Sequence, residues 1–140
     1  KPKVTFHEGV EGIEAVYNDM LRDKKEIVAY EDLDNLKEGL PARVFDWFPK
    51  ERAKRDILIR SISRDTLLAR EFSKRNTGLL RETKFLKTKE FRTDINIYGD
   101  KVALMDLRGT PFAVLIENKD IAETLRVVWG ELWNRLEKSP

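Results

Sequence analysis

The stretch from Ile95 to Glu117, INIYGDKVALMDLRGTPFAVLIE, sets the tightest limit on what this chain can fold into. Gly99-Asp100 has the form of a two-residue hairpin turn, and Arg108-Gly109-Thr110 is a second reversal before Pro111 opens the next run. An antiparallel meander of three short strands is predicted. In the second strand Val102 and Leu104 face one way and Ala103 and Met105 the other; in the third, Phe112, Val114 and Ile116 oppose Ala113 and Leu115. Neither strand has a polar side, so the sheet needs cover on both faces, from helices or from a second subunit.

The rest of the chain supplies that cover. Val4-Thr5-Phe6 reads as an edge strand, and Val10, Ile13, Val16, Tyr17, Met20 and Leu21 recur at helical spacing over Gly9 to Leu21. The glycines of Gly9-Val-Glu-Gly12 suit the start of this helix better than an anion cradle, because their spacing matches no phosphate loop. Glu26 to Tyr30 is a short strand that runs into the acidic loop Glu31, Asp32, Asp34. Leu40 to Ala53 reads as two short helices divided at Pro49. The cations Lys50, Arg52, Lys54 and Arg55, beside Glu51 and Asp56, read as a solvated face. Asp56 to Ile62 carries three apolar residues in a row, the mark of a buried parallel strand, and ends in Ser61, Ser63 and Arg64. Asp65 is placed to cap a helix from Thr66 to about Arg75 with Leu67, Leu68 and Phe72 inward. Leu79 to Glu90 reads as an irregular charged connection. A last helix begins after Asn118, with Asp120 and Glu123 spaced as a capping box, and runs to about Leu136. Its stripe of Ile121, Leu125, Val128, Leu132 and Leu136 is widened by Ala122, Trp129 and Trp133, more than one sheet face needs. Trp129 and Trp133 are therefore the candidate interface residues, for a homodimer or for a domain outside this sequence.

One domain is expected from 140 residues, 41% of them hydrophobic and 37% charged. The 27 basic residues against 25 acidic ones are interleaved, which gives neither a nucleic-acid nor a membrane footprint. With no cysteine there are no disulfides or thiolate sites, and a cytoplasmic location is the expectation. His7 is the single histidine, too few for a zinc site, and reads as a surface or packing residue. No metal and no cofactor is expected, since the carboxylates Glu31, Asp32 and Asp34 come without a phosphate-binding loop. Two adjacent parallel strands that end in polar residues would open a cleft beyond their carboxyl ends. Tyr30, Glu31 and Asp32 would face Ser61, Ser63 and Arg64 there, with Asn96 and Tyr98 as further wall. An aromatic ring, carboxylates, hydroxyls and one cation suit a hydroxylated or anionic small molecule.

VTFHEGVEGIEAVYNDML, EIVAY, FPKERAKRDILIR, INIYGDKVALMDL and FAVLIENKDIAETLRVVWGELW together resemble the C-terminal regulatory region of TrmB-type transcriptional regulators of archaea and bacteria, over nearly the whole chain. The resemblance implies a single effector-sensing and dimerising domain (residues 1–140), cut from a longer regulator whose N-terminal winged helix-turn-helix binds DNA. Lys1 in place of an initiator Met agrees with such an excision. It also implies an α/β (α+β) fold like half of a phospholipase D: a mixed sheet with two parallel strands and an antiparallel meander, and helices on both faces. In the phospholipase D motif, H-x-K-x-x-x-x-D, Lys101 and Asp106 keep their places while Gly99 stands where the histidine nucleophile belongs, and His7 is far away in sequence. The expectation is a sensor that is not an enzyme. Two alternatives stand beside it: a protein interaction module without ligand, and a phosphodiesterase-like enzyme using Glu31, Asp32, Lys101 and Asp106.

Overall fold

Among the described residues twelve elements form, in chain order: β1 (Lys3–Glu8), α1 (Gly9–Asp23), β2 (Ile27–Glu31), α2 (Leu33–Gly39), α3 (Ala42–Lys54), β3 (Ile59–Arg64), α4 (Leu67–Ser73), β4 (Arg81–Leu86), β5 (Thr93–Tyr98), β6 (Lys101–Asp106), β7 (Phe112–Glu117) and α5 (Lys119–Arg135). The structure is a computed structural model, and it describes residues 1–137. The predicted meander is present. Gly99, at φ +56°, makes the turn that puts Tyr98 opposite Lys101, and β6 pairs β7 from Lys101↔Glu117 to Asp106↔Phe112. All seven strands join one mixed sheet in the order β1-β7-β6-β5-β2-β3-β4.

β2, β3 and β4 are parallel, and β5 joins them to the antiparallel part by pairing antiparallel with β2. Two crossovers that step the same way across a sheet share one hand, so α2, α3 and α4 lie together on one face. α1 joins them there, and Ile13, Val16, Met20, Leu21, Leu36, Val44 and Ala69 pack on Ile27, Ile59, Ala103, Met105 and Ala113. On the second face α5 lies alone, covering Val28, Ile62, Ile97 and Val102 with Ala122 and Trp129. It reaches across β6, β5 and β2, so β1 at the sheet edge stays open on that side: Val4 is 61% and Phe6 63% exposed, and the Phe6 ring stacks on Phe112 at 5.5 Å.

Several local expectations are corrected. Leu79 to Glu90 is no irregular connection, because Arg81 to Leu86 pairs with β3 from Ile59↔Arg81 to Arg64↔Leu86 as a third parallel strand. Leu40 to Ala53 holds one continuous helix, α3, which carries Pro49 inside it. The acidic loop after β2 is a helix start: Asp32 accepts the Asn35 N–H at 3.2 Å and caps α2. Thr66 rather than Asp65 caps α4, accepting from Ala69 N at 3.0 Å, while Asp65 holds Arg70 through two bonds of 2.8 and 2.9 Å. That shift turns Leu67 outward, 92% exposed. Asn118 itself caps α5, accepting from Ile121 N at 2.9 Å, in place of the capping box. Trp129 is core: its indole donates to Ala29 O at 2.9 Å, stacks on Trp133 at 4.8 Å and leaves 5% exposed. That burial takes Trp129 out of reach of a partner, whereas Trp133 stays half-buried beside Lys84, 4.6 Å above its ring.

Candidate functional site

Strand period decides which of the predicted residues meet. β2 extends through Glu31 and β3 through Arg64, so their last residues obey alternation instead of gathering in a loop. Glu31, Ser61 and Ser63 point to the face under α1 and α3, all buried. Ser61 Oγ donates to Glu31 Oε1 at 2.6 Å and lies 2.9 Å from Ser63 Oγ. Arg81 of β4, which sequence reasoning missed, closes the group by donating to the same Glu31 oxygen at 2.5 Å. Tyr30 points through the sheet to the opposite face and packs under α5. Tyr98 is also separated: β5 runs antiparallel to β2, so Tyr98 sits beside Ile27 at the far edge, about 13 Å along the strand from Asp94. There its hydroxyl donates to Asp19 Oδ2 at 2.9 Å. Asn96 does share the face of Ser61, buried beside Ala29 and Ala103.

Asp32 and Arg64 pair at the strand ends, Arg64 Nε donating to Asp32 Oδ2 at 2.5 Å and Nη2 to Oδ1 at 3.2 Å. The carboxylate raises the Arg64 pKa further. Asp32 N–H in turn donates to Asp94 Oδ1 at 3.1 Å. Asp94 Oδ2 and Arg81 Nε are buried without a hydrogen-bond partner among the described residues. Burial, and then the charge of Glu31, push the Asp94 carboxyl well above the usual carboxylate range. Burial pushes the Tyr17 hydroxyl up as well, with Asp94 and Glu31 adding to it. A cavity of about 30 Å³ borders this group, its lining including Tyr17, Glu31, Arg52 and Arg81, with room for about one water. The predicted cleft between β2 and β3 is therefore packed shut, and its polar side chains hold one another.

An open cleft does lie on the same edge of the sheet, displaced toward the meander. It has a volume of ≈ 490 Å³ and is lined by Asn35, Glu38, Gly39, Arg92, Leu107, Arg108 and Gly109. Asp32 builds one wall by capping α2, and Asn35 Nδ2 donates to Phe91 O at 3.0 Å to tie α2 to the start of β5. Glu90 gathers both arginines, at 2.9 Å from Arg108 and 3.6 Å from Arg92. Nothing in the alternation of TDINIY or the charges of KTKEFRT announced this cleft, because it is made where a loop crosses a helix cap.

A third arrangement surrounds Lys101. Its Nζ lies 2.9 Å from Asp19 and from Asp23 and 3.9 Å from Glu117. Burial pushes the Asp19 carboxyl up, but hydrogen bonds from Lys101 and Tyr98 outweigh it and hold the group below its ordinary value. Lys101, Asp19 and Glu117 line a cleft of ≈ 260 Å³ together with Thr5 and His7, whose Oγ1 and Nε2 are 2.9 Å apart. His7, far from Lys101 in sequence, is thus brought to the same cleft by the pairing of β1 with β7. Among the described residues no set of three or more His, Cys, Asp or Glu is placed to hold a metal ion, and no helix is long and apolar enough to cross a membrane.

No family model and no curated protein matches the sequence. Solved structures do. TrmBL2, an archaeal chromatin protein described as showing a novel mode of DNA binding, matches 98% of this chain at TM-score 0.66 and 18% identity. This chain spans 54% of the length of TrmBL2. Nuc from Salmonella typhimurium, a phospholipase D family member, matches 99% of this chain and 99% of its own at TM-score 0.70 and 14% identity. NucT from Helicobacter pylori matches over 99% and 100% at TM-score 0.69 and 8% identity. The chain has the phospholipase D-like fold that these three proteins share, as the TrmB resemblance implied. The expectation that the chain is not an enzyme is overturned by the match to Nuc, a phospholipase D family member, over 99% of its length.

Proposed function

We propose that this chain is the effector-sensing domain of a TrmB-like transcriptional regulator, which takes a hydroxylated or anionic small molecule in the cleft at the carboxyl ends of β2 and β6. One observation carries the reading. Beyond the strand ends lies a cleft of ≈ 490 Å³ with two guanidiniums, a carboxylate and an amide on its walls, within the size range of small-molecule sites. The likeness to TrmBL2, over 98% of this chain, supports it. In the intact protein the domain transmits to a DNA-binding head, works in the cytoplasm and forms a homodimer, with the open side of β1 and α5 as the contact. The test is a thermal-shift screen of sugars, sugar phosphates and small carboxylates, followed by titration of Arg92→Ala and Arg108→Ala. A ligand at ~100 times its Kd adds about 2.7 kcal/mol of apparent stability. Loss of one charge-assisted bond weakens binding roughly ten- to a hundredfold. A hit that both variants bind like the parent sinks the placement.

A second reading is a phosphodiester hydrolase, favoured by the cleft that holds Lys101 and His7 together and by the match to Nuc. Turnover of bis(p-nitrophenyl) phosphate that survives repurification, and that disappears in both His7→Ala and Lys101→Ala, supports it. Turnover unchanged in the two variants comes from a contaminant and rejects it.

A further inference from the structure

A groove opens on the outer side of α4, away from both clefts described above. It has a volume of ≈ 490 Å³ and is lined by Lys37 of α2, Ala42, Phe45 and Asp46 of α3, and Leu68, Glu71, Phe72, Lys74 and Arg75 in and after α4. Its floor is apolar. Phe45 and Phe72 meet there at 5.9 Å with their rings tilted, and Leu68 lies half-buried on the same helix as Phe72. Neither ring is fully covered, so water borders an aromatic surface that nothing else among the described residues covers.

The rim carries charge in a specific balance. Glu71 is held by Lys74 at 3.0 Å, which leaves Lys37, Arg75 and Asp46 as lining groups with no ion-pair partner among the described residues. Two cations and one carboxylate leave the rim with one net positive charge. Arg75 is already poised on the floor, its guanidinium carbon 5.5 Å from the centroid of the Phe72 ring. From the buried side Arg81 approaches the same ring at 5.1 Å, and Phe45 and Phe72 also line the small cavity that holds Glu31 and Arg81. The aromatic pair is thus a partition: solvent and unpaired cations on one side, the buried ion pair on the other.

We propose that this groove is a binding site for an amphipathic organic anion, with a flat apolar ring or branched chain laid on Phe45, Leu68 and Phe72 and one anionic group held by Lys37 and Arg75. A neutral apolar molecule leaves both cations unpaired, and an inorganic anion leaves the aromatic floor wet; only a molecule with both parts satisfies both. The site is independent of the cleft at the strand ends and stands or falls apart from it.

The probes are 8-anilinonaphthalene-1-sulfonate, an aromatic monoanion, and N-phenyl-1-naphthylamine, which has the same ring system without the sulfonate. Fluorescence titration is expected to give saturable, one-to-one binding of the sulfonate, tighter than that of the neutral probe. Lys37→Ala with Arg75→Ala, both at exposed positions, weakens the sulfonate by about tenfold or more and leaves the neutral probe unchanged. Ala42→Trp, also at an exposed position, fills the groove and removes both probes while far-UV circular dichroism stays that of the parent. Equal binding of the two probes to the parent, binding of the sulfonate undiminished in the double variant, or binding that survives Ala42→Trp each overturns the assignment.

Discussion

Arg52 clips the starts of two parallel strands, and replacing it with Met tests how much of the fold hangs on one side chain. It is 1% exposed, and its guanidinium donates to Ile57 O at 2.7 Å, Leu79 O at 2.8 Å and Leu80 O at 3.0 Å. Burial, and then the charge of Arg81, press its pKa down to about 10, so it is still protonated at neutral pH. Met keeps most of the buried stem and removes every donor. Leu80 O retains a bond from Ile59 N at 3.3 Å, so two carbonyls, those of Ile57 and Leu79, are left without their donor. A buried group stripped of its partner costs roughly 1 to 3 kcal/mol, which gives a loss of about 4 kcal/mol for the pair. That is a large fraction of the ~5 to 15 kcal/mol by which such domains are stable. Urea unfolding followed by tryptophan fluorescence reads it as a midpoint lowered by about 2 M at a slope of ~2 kcal/mol per M. Arg52→Lys, with one ammonium for three acceptors, falls between. Arg55→Met is the control, since the exposed Arg55 pairs among the described residues only with the half-buried Glu51, at 3.2 Å, and its loss stays within about 0.5 kcal/mol. A loss below about 1 kcal/mol in Arg52→Met, with an unchanged slope, refutes the reasoning.

Asp94 gives the pH dependence. Its folded pKa lies above its unfolded value, so the folded state holds a proton that the unfolded chain has released, and stability falls as pH rises from about 4 through the folded pKa. In Asp94→Asn that fall disappears; urea melts at pH 5 and pH 8 that shift equally in parent and variant contradict it. Gly12 lets α1 cross β1, because a Cβ there meets His7 C at 2.5 Å and His7 O at 2.8 Å. Gly12→Ala therefore loses about 2 kcal/mol despite the better helix propensity of alanine, and a thermal midpoint equal to the parent's rejects that. Trp129→Ala opens the core under α5 and removes the indole's bond to Ala29 O, for a loss of roughly 3 to 5 kcal/mol. Acrylamide should quench Trp133 well before Trp129, as compared in Trp129→Phe and Trp133→Phe; equal quenching places Trp129 at the surface.

The sequence by itself determined the elements whose patterning is local. Gly99-Asp100 and the two-sided apolar runs on either side of it specify the meander, and the spacing from Val10 to Leu21 specifies α1; the run Ile57-Leu58-Ile59 announces a buried parallel strand, although the strand itself begins only at Ile59 and runs on to Arg64. The polar ends of β2 and β3 also pointed to the edge of the sheet at which the cleft lined by Asn35, Arg92 and Arg108 opens. Only the tertiary structure decided which groups meet there. RETKFL shows no apolar alternation, because its inward positions include Arg81 and Thr83, whose polar atoms find partners only once the chain has folded: Arg81 on Glu31, far away in sequence, and Thr83 within 3.1 Å of Asn76 Nδ2 in the turn before the strand. For the same reason Arg52 reads as one cation of a solvated cluster until the carbonyls of residues 57, 79 and 80 converge on it. Asp32 reads as a loop carboxylate until it caps α2 and pairs with Arg64, and His7 as a lone surface residue until β1 pairs with β7 beside the cleft of Lys101. A polar side chain is indifferent to burial as long as its hydrogen bonds are met, so its own residue type carries no record of whether it faces water or the core. Apolar period is written along the chain; polar partnership exists only once distant segments are brought together.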